Sequence, residues 1–262
     1  MGFLHSFVMS QSERRALLTS ALLGVLGFAN AAPSLDERKK KIKEMEKQLS
    51  KEALDRRARS EAVLKTEGVP INRYLPVIET ESEARVRTTE EVARRALCVL
   101  VVAVKGEGLE QPVVNRIVNE YGLRQLLTPK ERAFIQAASP SQHDKVQFVW
   151  RYEAAWVLLW ALGYVQSLGK PVGICDVPTA VRTMRDRSAK SFVSEARLRP
   201  TAEILDQADR IYRYHWAVVD ARVNGRPAPA GLNADVVPER HHALNWLIGY
   251  MGQEWDEVTT DT

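Results

Sequence analysis

Apolar residues recur at intervals of three and four through most of the chain beyond residue 88, and no run alternates apolar and polar long enough to predict a strand. Thr88-Thr89-Glu90-Glu91 spells a capping box, with the Thr88 hydroxyl placed to accept from the Glu91 amide. The helix it opens runs through Val92, Ala96, Val99 and Ala103 to Gly106 and Gly108. Thr128-Pro129-Lys130-Glu131 is a second start, with proline at the first helical position and the acid at the third. Ser141 to Asp144 begins a long segment that ends in Ala154 to Leu162, a stretch with no polar face. That stretch is too short to span a bilayer, so it predicts a central helix surrounded by others. Ile204, Ala208, Ile211, His215, Val218, Val219 and Arg222 form a core-facing stripe closed by Asn224-Gly225. Pro227 to Gly231 reads as a rigid loop, Pro238 to Met251 as the last helix, and Gly252 to Thr262 as a polar tail. Residues 71–87, with Pro76 and the polar run Glu79 to Arg87, predict an ordered loop or a short edge strand.

Ser34 to Lys65 predicts a charged helix. Its acid-before-base pairs (Glu37–Lys41, Glu52–Arg56, Asp55–Arg59, Glu61–Lys65) each stabilise a solvated helix by about 0.2–0.5 kcal/mol. Ile42, Met45 and Leu49 make a stripe too brief for a coiled coil. The arm is therefore expected to dock one edge on its own domain, rather than to act as a partner-binding or membrane-proximal helix. Gly68 and Pro70 end it.

Ahead of the arm, Ser10 to Arg15 is polar, Ala16 to Phe28 is apolar, and Ala29-Asn30-Ala31 offers small residues to a signal peptidase. The expectation is cleavage after Ala31 and a periplasmic or secreted protein. The apolar stretch falls short of the roughly 20 residues that cross a bilayer. An uncleaved anchor in the inner membrane, or a cytoplasmic protein, is the alternative. Arg14-Arg15 before Leu17-Leu18 resembles a twin-arginine signal, Met9 would serve equally as the start, and the basic run Arg38 to Lys41 counts against translocation. The organisation predicted is an export signal over residues 1–31, a charged helical arm over 32–55, and a single compact, mainly α domain over 56–262.

The net charge of +4 suggests nucleic acid only until it is followed along the chain: residues 68–262 hold 24 bases and 24 acids. A neutral body lacks the clustered Lys and Arg that displace counterions from phosphate, so no nucleic-acid partner is expected. A hydrophobic fraction of 45% with 27% charged residues excludes general disorder. Two cysteines exclude a disulfide scaffold and a zinc site built from paired CxxC units. There is no phosphate-cradling glycine loop, GxSxG elbow, HExxH or kinase signature, and Gly106-Glu107-Gly108 follows a helix where a dinucleotide fingerprint needs a strand. No cofactor is expected.

The remaining candidates for chemistry are polar groups embedded in the apolar second half. Glu239-Arg240-His241-His242, with Asn245 just beyond, is the densest. Glu239 and His242 share a helix face at the spacing of carboxylate-bridged di-metal bundles, which makes them candidate metal ligands, but no second ExxH accompanies them. The plainer expectation is one satisfied core histidine and one at the surface. His215, on the apolar stripe beside Trp216, pairs with Asp220 or a carboxylate across the core if it is a general base. Otherwise it buries its ring with one hydrogen bond, the reading favoured here. Glu153, beside the driest stretch, must be paired with an arginine or carry a raised pKa; facing His215 or His242 it would be catalytic. With Asp256 these complete the set for a hydrolytic or metal-assisted enzyme: Glu153, His215, Glu239, His241, His242 and Asp256. Cys98, in an apolar helix, and Cys175, beside Asp176, are poor thiolates. Trp156 and Trp160 read as core, and Trp255 as a pin for the tail.

Four blocks carry a resemblance. They are Arg59-Ser60-Glu61 with Gly68-Val69-Pro70-Ile71-Asn72 and Leu75-Pro76; Arg151 to Trp156; Glu239 to Trp246; and Trp255 to Thr262. In this order they resemble the bacterial domain-of-unknown-function family 4272, over roughly residues 56–262. The resemblance implies no activity, cofactor or catalytic residue, and it implies mainly cytosolic members, from which the signal-like N-terminus departs. With motifs absent, a neutral body and a solvated arm, the function expected is binding of a protein or small ligand without catalysis. The membrane is involved only through the N-terminal segment if it stays uncleaved.

Overall fold

In the computed structural model of the chain, which describes residues 49–262, the helices in chain order are α1 (Lys51–Thr66), α2 (Thr89–Glu107), α3 (Gln111–Glu120), α4 (Pro129–Gln136), α5 (Gln142–Val149), α6 (Arg151–Ala161), α7 (Val177–Arg185), α8 (Ala189–Glu195), α9 (Thr201–Val223) and α10 (Val236–Leu247). A short 3-10 turn at Pro229–Gly231 lies between α9 and α10, and two more, Tyr250–Gly252 and Trp255–Glu257, follow α10. No strand occurs among the described residues, and none of their helices is long and apolar enough to cross a membrane. The export signal and the first part of the charged arm, with Ile42 and Met45, lie outside the described residues.

The expected caps form. Thr88 Oγ1 accepts from the Glu91 amide at 3.3 Å while Glu91 Oε2 accepts from the Thr88 amide at 2.8 Å. Thr128 and Glu131 repeat the box at α4, and Ser141 caps α5 through the Asp144 amide at 3.1 Å. The long helix predicted from Ser141 is two helices. They meet at Trp150, whose carbonyl accepts from the Glu153 amide at 3.0 Å, a three-residue step.

The centre is shared. Every residue from Ala96 to Ala103 in α2 is buried, as are Ala154, Ala155 and Val157 to Ala161 in α6. α6 packs on α2 and on α10, α10 on α9, and α9 on α1, while α5 closes another side of α2. The helix predicted to be central is therefore one of two. Trp160 is buried, but Trp156, expected in the core, is only partly so.

α1 docks through Ala53, Arg56, Ser60 and Leu64, three and four residues apart. Arg56 reaches the Glu79 carbonyl at 2.8 Å, and Arg59 bonds Asp206 of α9 at 2.6 Å. Glu52–Arg56 forms as the spacing predicts, whereas Arg59 pairs with Asp206 across the interface instead of with Asp55. Residues 71–87 form a loop, not a strand. The amides of Arg85 and Arg87 donate to the carbonyls of Ile248 and Leu247 at 3.1 and 2.9 Å, satisfying groups that the end of α10 leaves open. α10 itself stops at Leu247, short of the predicted Met251, because Gly249, Met251 and Gly252 take left-handed backbone.

Candidate functional site

α6, α9, α10 and the tail bring the polar candidates together in pairs. Arg240 of α10 donates from Nε to Glu153 of α6 at 2.9 Å, and from Nη1 to the carbonyls of Leu168 and Gly169 at 2.8 and 3.2 Å. The other oxygen of Glu153 accepts from the Cys175 amide. Arg151 and Glu239 make a second bridge between the same two helices at 3.2 Å. Burial raises the pKa of Glu239, and the Arg151 guanidinium opposes that shift.

His215 and His241 face each other across α9 and α10, Nδ1 to Nδ1 at 2.8 Å, with rings 86° apart. One Nδ1 must donate and the other accept, so a single proton lies between the two Nδ1 atoms. Asp220, the carboxylate first considered for His215, pairs instead with Arg226 at 2.7 Å. Asp256 accepts from the Lys130 amide at 3.2 Å. Glu153 thus faces an arginine and not a histidine. Among the described residues no three His, Cys, Asp or Glu side chains gather where one ion would be held, Glu239 and His242 included. Both cysteines are free and buried; burial pushes the Cys98 thiol up to about 12 and, with Glu153 adding to it, raises that of Cys175.

His242 stands edge-on to Trp255, ring centroids 4.9 Å apart. Burial, helped by the Arg151 charge, lowers its pKa from 6.5 to about 3, although the Trp255 backbone pulls the other way. The folded chain therefore binds this proton less tightly than the unfolded one, and the stability present above pH 6.5 is lost as pH falls towards 3. At pH 5 the loss from this group is on the order of 2 kcal/mol. Urea unfolding at pH 7.5 and pH 5, compared between the native chain and His242→Gln, reads it. An unchanged pH dependence in the variant would refute the assignment.

A different feature had no counterpart in the sequence reading. α2, α3, α7 and α8 enclose a trough. Its wider part, ≈ 570 Å³, is floored by Leu100 and Val104 and walled by Val113 and Ile117 of α3 and Val181 and Met184 of α7. A second part, ≈ 350 Å³, continues past Leu97 to Val193 of α8. Tyr121 borders both, its hydroxyl 2.8 and 2.9 Å from the carbonyls of Met184 and Arg187. Arg94, Leu97, Leu100, Val104 and Glu107 lie along one side of α2, so the trough is about 20 Å long at 1.5 Å per residue. Its lining carries five bases, Arg94, Arg116, Arg185, Arg187 and Lys190. The acids are Glu107, Glu120 and Asp186, and Glu107 accepts from the Tyr152 hydroxyl at 2.7 Å. A signal was available: α3 carries Val114 and Val118 for the core and, beside them, Val113, Ile117 and Tyr121, which the core only partly covers.

Three of the blocks that carry the sequence resemblance meet in space: Arg151 and Glu153 bridge to Glu239 and Arg240, and Trp246 packs on Trp255, while Glu61 of the first block lies 3.7 Å from Arg213 of α9. No curated protein and no solved structure matches the chain. The model of one family, described as a domain of unknown function (DUF4272), matches residues 56–258, most of the chain, and the protein belongs to that family.

Proposed function

We propose that the protein is a protein-binding module that performs no chemistry, and that a helix of its partner lies in the trough between α2, α3, α7 and α8. The observation that carries this reading is a line of partly covered apolar side chains (Val104, Ile117, Tyr121, Val181, Val193) along about 20 Å of that trough. An amphipathic helix of about 13 residues matches its length, seating its apolar stripe on the floor. Four of the lining bases already meet carboxylates (Arg94–Glu90, Arg116–Glu120, Arg185–Asp186, Arg187–Glu195), so Lys190 is the base left for a Glu or Asp that flanks the partner's stripe. The acids and imidazoles named as catalytic candidates support the reading from the other side: Glu153 and Glu239 pair with arginines, His215 meets His241, His242 stands against Trp255, and Asp256 accepts from the Lys130 amide. Export belongs to this proposal on the sequence signal alone, and an intact mass beginning at Ala32 checks it.

Titration of the full chain with a designed helix of about 14 residues, its apolar stripe flanked by glutamates, tests the trough. Saturable binding is expected, with amide shifts centred on Val104, Ile117 and Val181, and a loss of about ten-fold or more for Ile117→Asp or Val181→Asp. A lysine-flanked version should bind more weakly. Equal binding of both versions, or binding untouched by either substitution, would overturn the assignment.

A further inference from the structure

Beyond the trough, a recess between α2, α4 and α10 holds the indole of Trp255, which is 3% exposed. Its walls come from the body of the fold. His242 meets the indole edge-on, Trp246 packs against it at 5.3 Å, and the Arg95 guanidinium stands 5.2 Å from the ring centre. Each of those three side chains holds a buried polar atom with no hydrogen-bond partner: Arg95 Nε, His242 Nε2 and Trp246 Nε1. Buried donors and acceptors are normally satisfied, so three around one ring mark a place that the tail fills in volume but does not match in polarity.

The tail is also lightly held. Arg87 Nη2 donates to the Gln253 carbonyl at 2.9 Å, the Lys130 amide and Nζ reach Asp256 at 3.2 Å each, and Asn245 Nδ2 donates to the Thr259 carbonyl at 2.8 Å. All of these bonds use a side chain at one end. Among the described residues no hydrogen bond with main chain at both ends joins the tail beyond Gln253 to the body. Its root at 249–252 has left-handed backbone at Gly249, Met251 and Gly252, a turn that isolates the tail from α10.

We infer that this recess is a peptide-binding site, that the C-terminal tail is its resident occupant, and that its external ligand is a partner segment with an aromatic residue followed by acidic ones. The tail states the chemistry itself: Trp255 is followed by Asp256 and Glu257. An incoming segment of the same kind offers a ring to Arg95 and Trp246 and a carboxylate to Lys130, which loses Asp256 when the tail lifts. A carboxylate or hydroxyl on that segment also gives Arg95 Nε and Trp246 Nε1 the acceptor that the tail's indole lacks. Large aromatic anchors in desolvated pockets ringed by arginine dominate peptide affinity. This inference uses other residues than the trough, so either can fail alone.

The test titrates two full-length proteins, native and Trp255→Ala, with a labelled peptide covering Gln253 to Thr262 and with two altered peptides. One altered peptide carries Trp255→Ala, the other Asp256→Lys and Glu257→Lys. The alanine protein should bind the native-sequence peptide at least about ten-fold more tightly than the native protein does, because its own tail no longer competes. Both altered peptides should bind at least about ten-fold more weakly. A folded alanine protein that binds none of the peptides, or all alike, would overturn the site. If that protein does not fold, Trp255→Phe decides: binding of the native-sequence peptide tighter than to the native chain supports the site, and no gain sinks it. A concentration-dependent dimer of the native protein that Trp255→Ala abolishes would identify the segment as the tail of a second copy.

Discussion

Glu153→Ala should lower the stability of the folded chain by about 3–5 kcal/mol, because it leaves the Arg240 guanidinium buried without its counter-charge. Both members of this pair are almost fully enclosed. The substitution also removes the acceptor of the Cys175 amide, which is buried with it. Glu153→Gln keeps an oxygen for that amide while losing the charge, so it should fall between the native chain and the alanine variant. Replacing both Glu153 and Arg240 by apolar residues should recover only part of the loss. Arg240 also serves the carbonyls of Leu168 and Gly169, and the buried Leu168 carbonyl would then face the interior without a donor. Urea unfolding with linear extrapolation measures all four proteins. A loss below about 1 kcal/mol for the alanine variant would place the bridge with ordinary surface pairs, and the account of α6 fastened to α10 would fail.

That bridge shows how far local pattern carries. The need of Glu153 for an arginine follows from its position beside an apolar run, because an unpaired carboxylate there costs too much. Which arginine could not be read, since Arg240 lies 87 residues away and no periodicity links them. The same division runs through the fold. Thr88, Thr128 and Ser141 announce their helices, because a cap is a contact over three residues. The joint at Trp150 has no such local signal, since both flanking segments favour helix. α7 carries a local signal too, Asp176-Val177-Pro178-Thr179, where Asp176 Oδ1 accepts from the Thr179 amide at 3.0 Å. The histidine pair was divided between two correct halves: burial with one bond was expected for His215 and for one of its neighbours, and their bond to each other was not. The trough was invisible for a related reason. Leu97 and Val104 read as core in any helical pattern, and only the placement of α3 and α7 leaves Val104 partly open.

Gly249→Ala should be nearly as damaging as loss of the buried carboxylate, and its cause is geometric. A methyl group built on Gly249 would stand 2.5 Å from the Arg85 carbonyl oxygen and 3.0 Å from the Arg85 Cβ. Neither neighbour yields easily. The Arg85 amide is bonded to Ile248 and the Arg87 amide to Leu247, while the Arg87 side chain reaches the Gln253 carbonyl. Relief of the clash therefore means pulling the 71–87 loop off the end of α10 and loosening the root of the tail. Gly249 also sits at φ +69°, where an L side chain costs roughly 1–2 kcal/mol before any clash is counted. Overpacking against fixed backbone adds about 1–3 kcal/mol, for a total of roughly 2–5 kcal/mol. Gly252→Ala separates the two contributions. It has nearly the same backbone, φ +65°, but nothing within 4 Å of the added carbon. It should lose only about 1–2 kcal/mol. If the two alanine variants unfold at the same urea concentration, the contact between Arg85 and the end of α10 does not restrain this turn. If Gly249→Ala is the less stable by about 1 kcal/mol or more, the loop at 71–87 holds the last helix and the tail in register, and Trp255 is seated by backbone geometry as well as by its own ring.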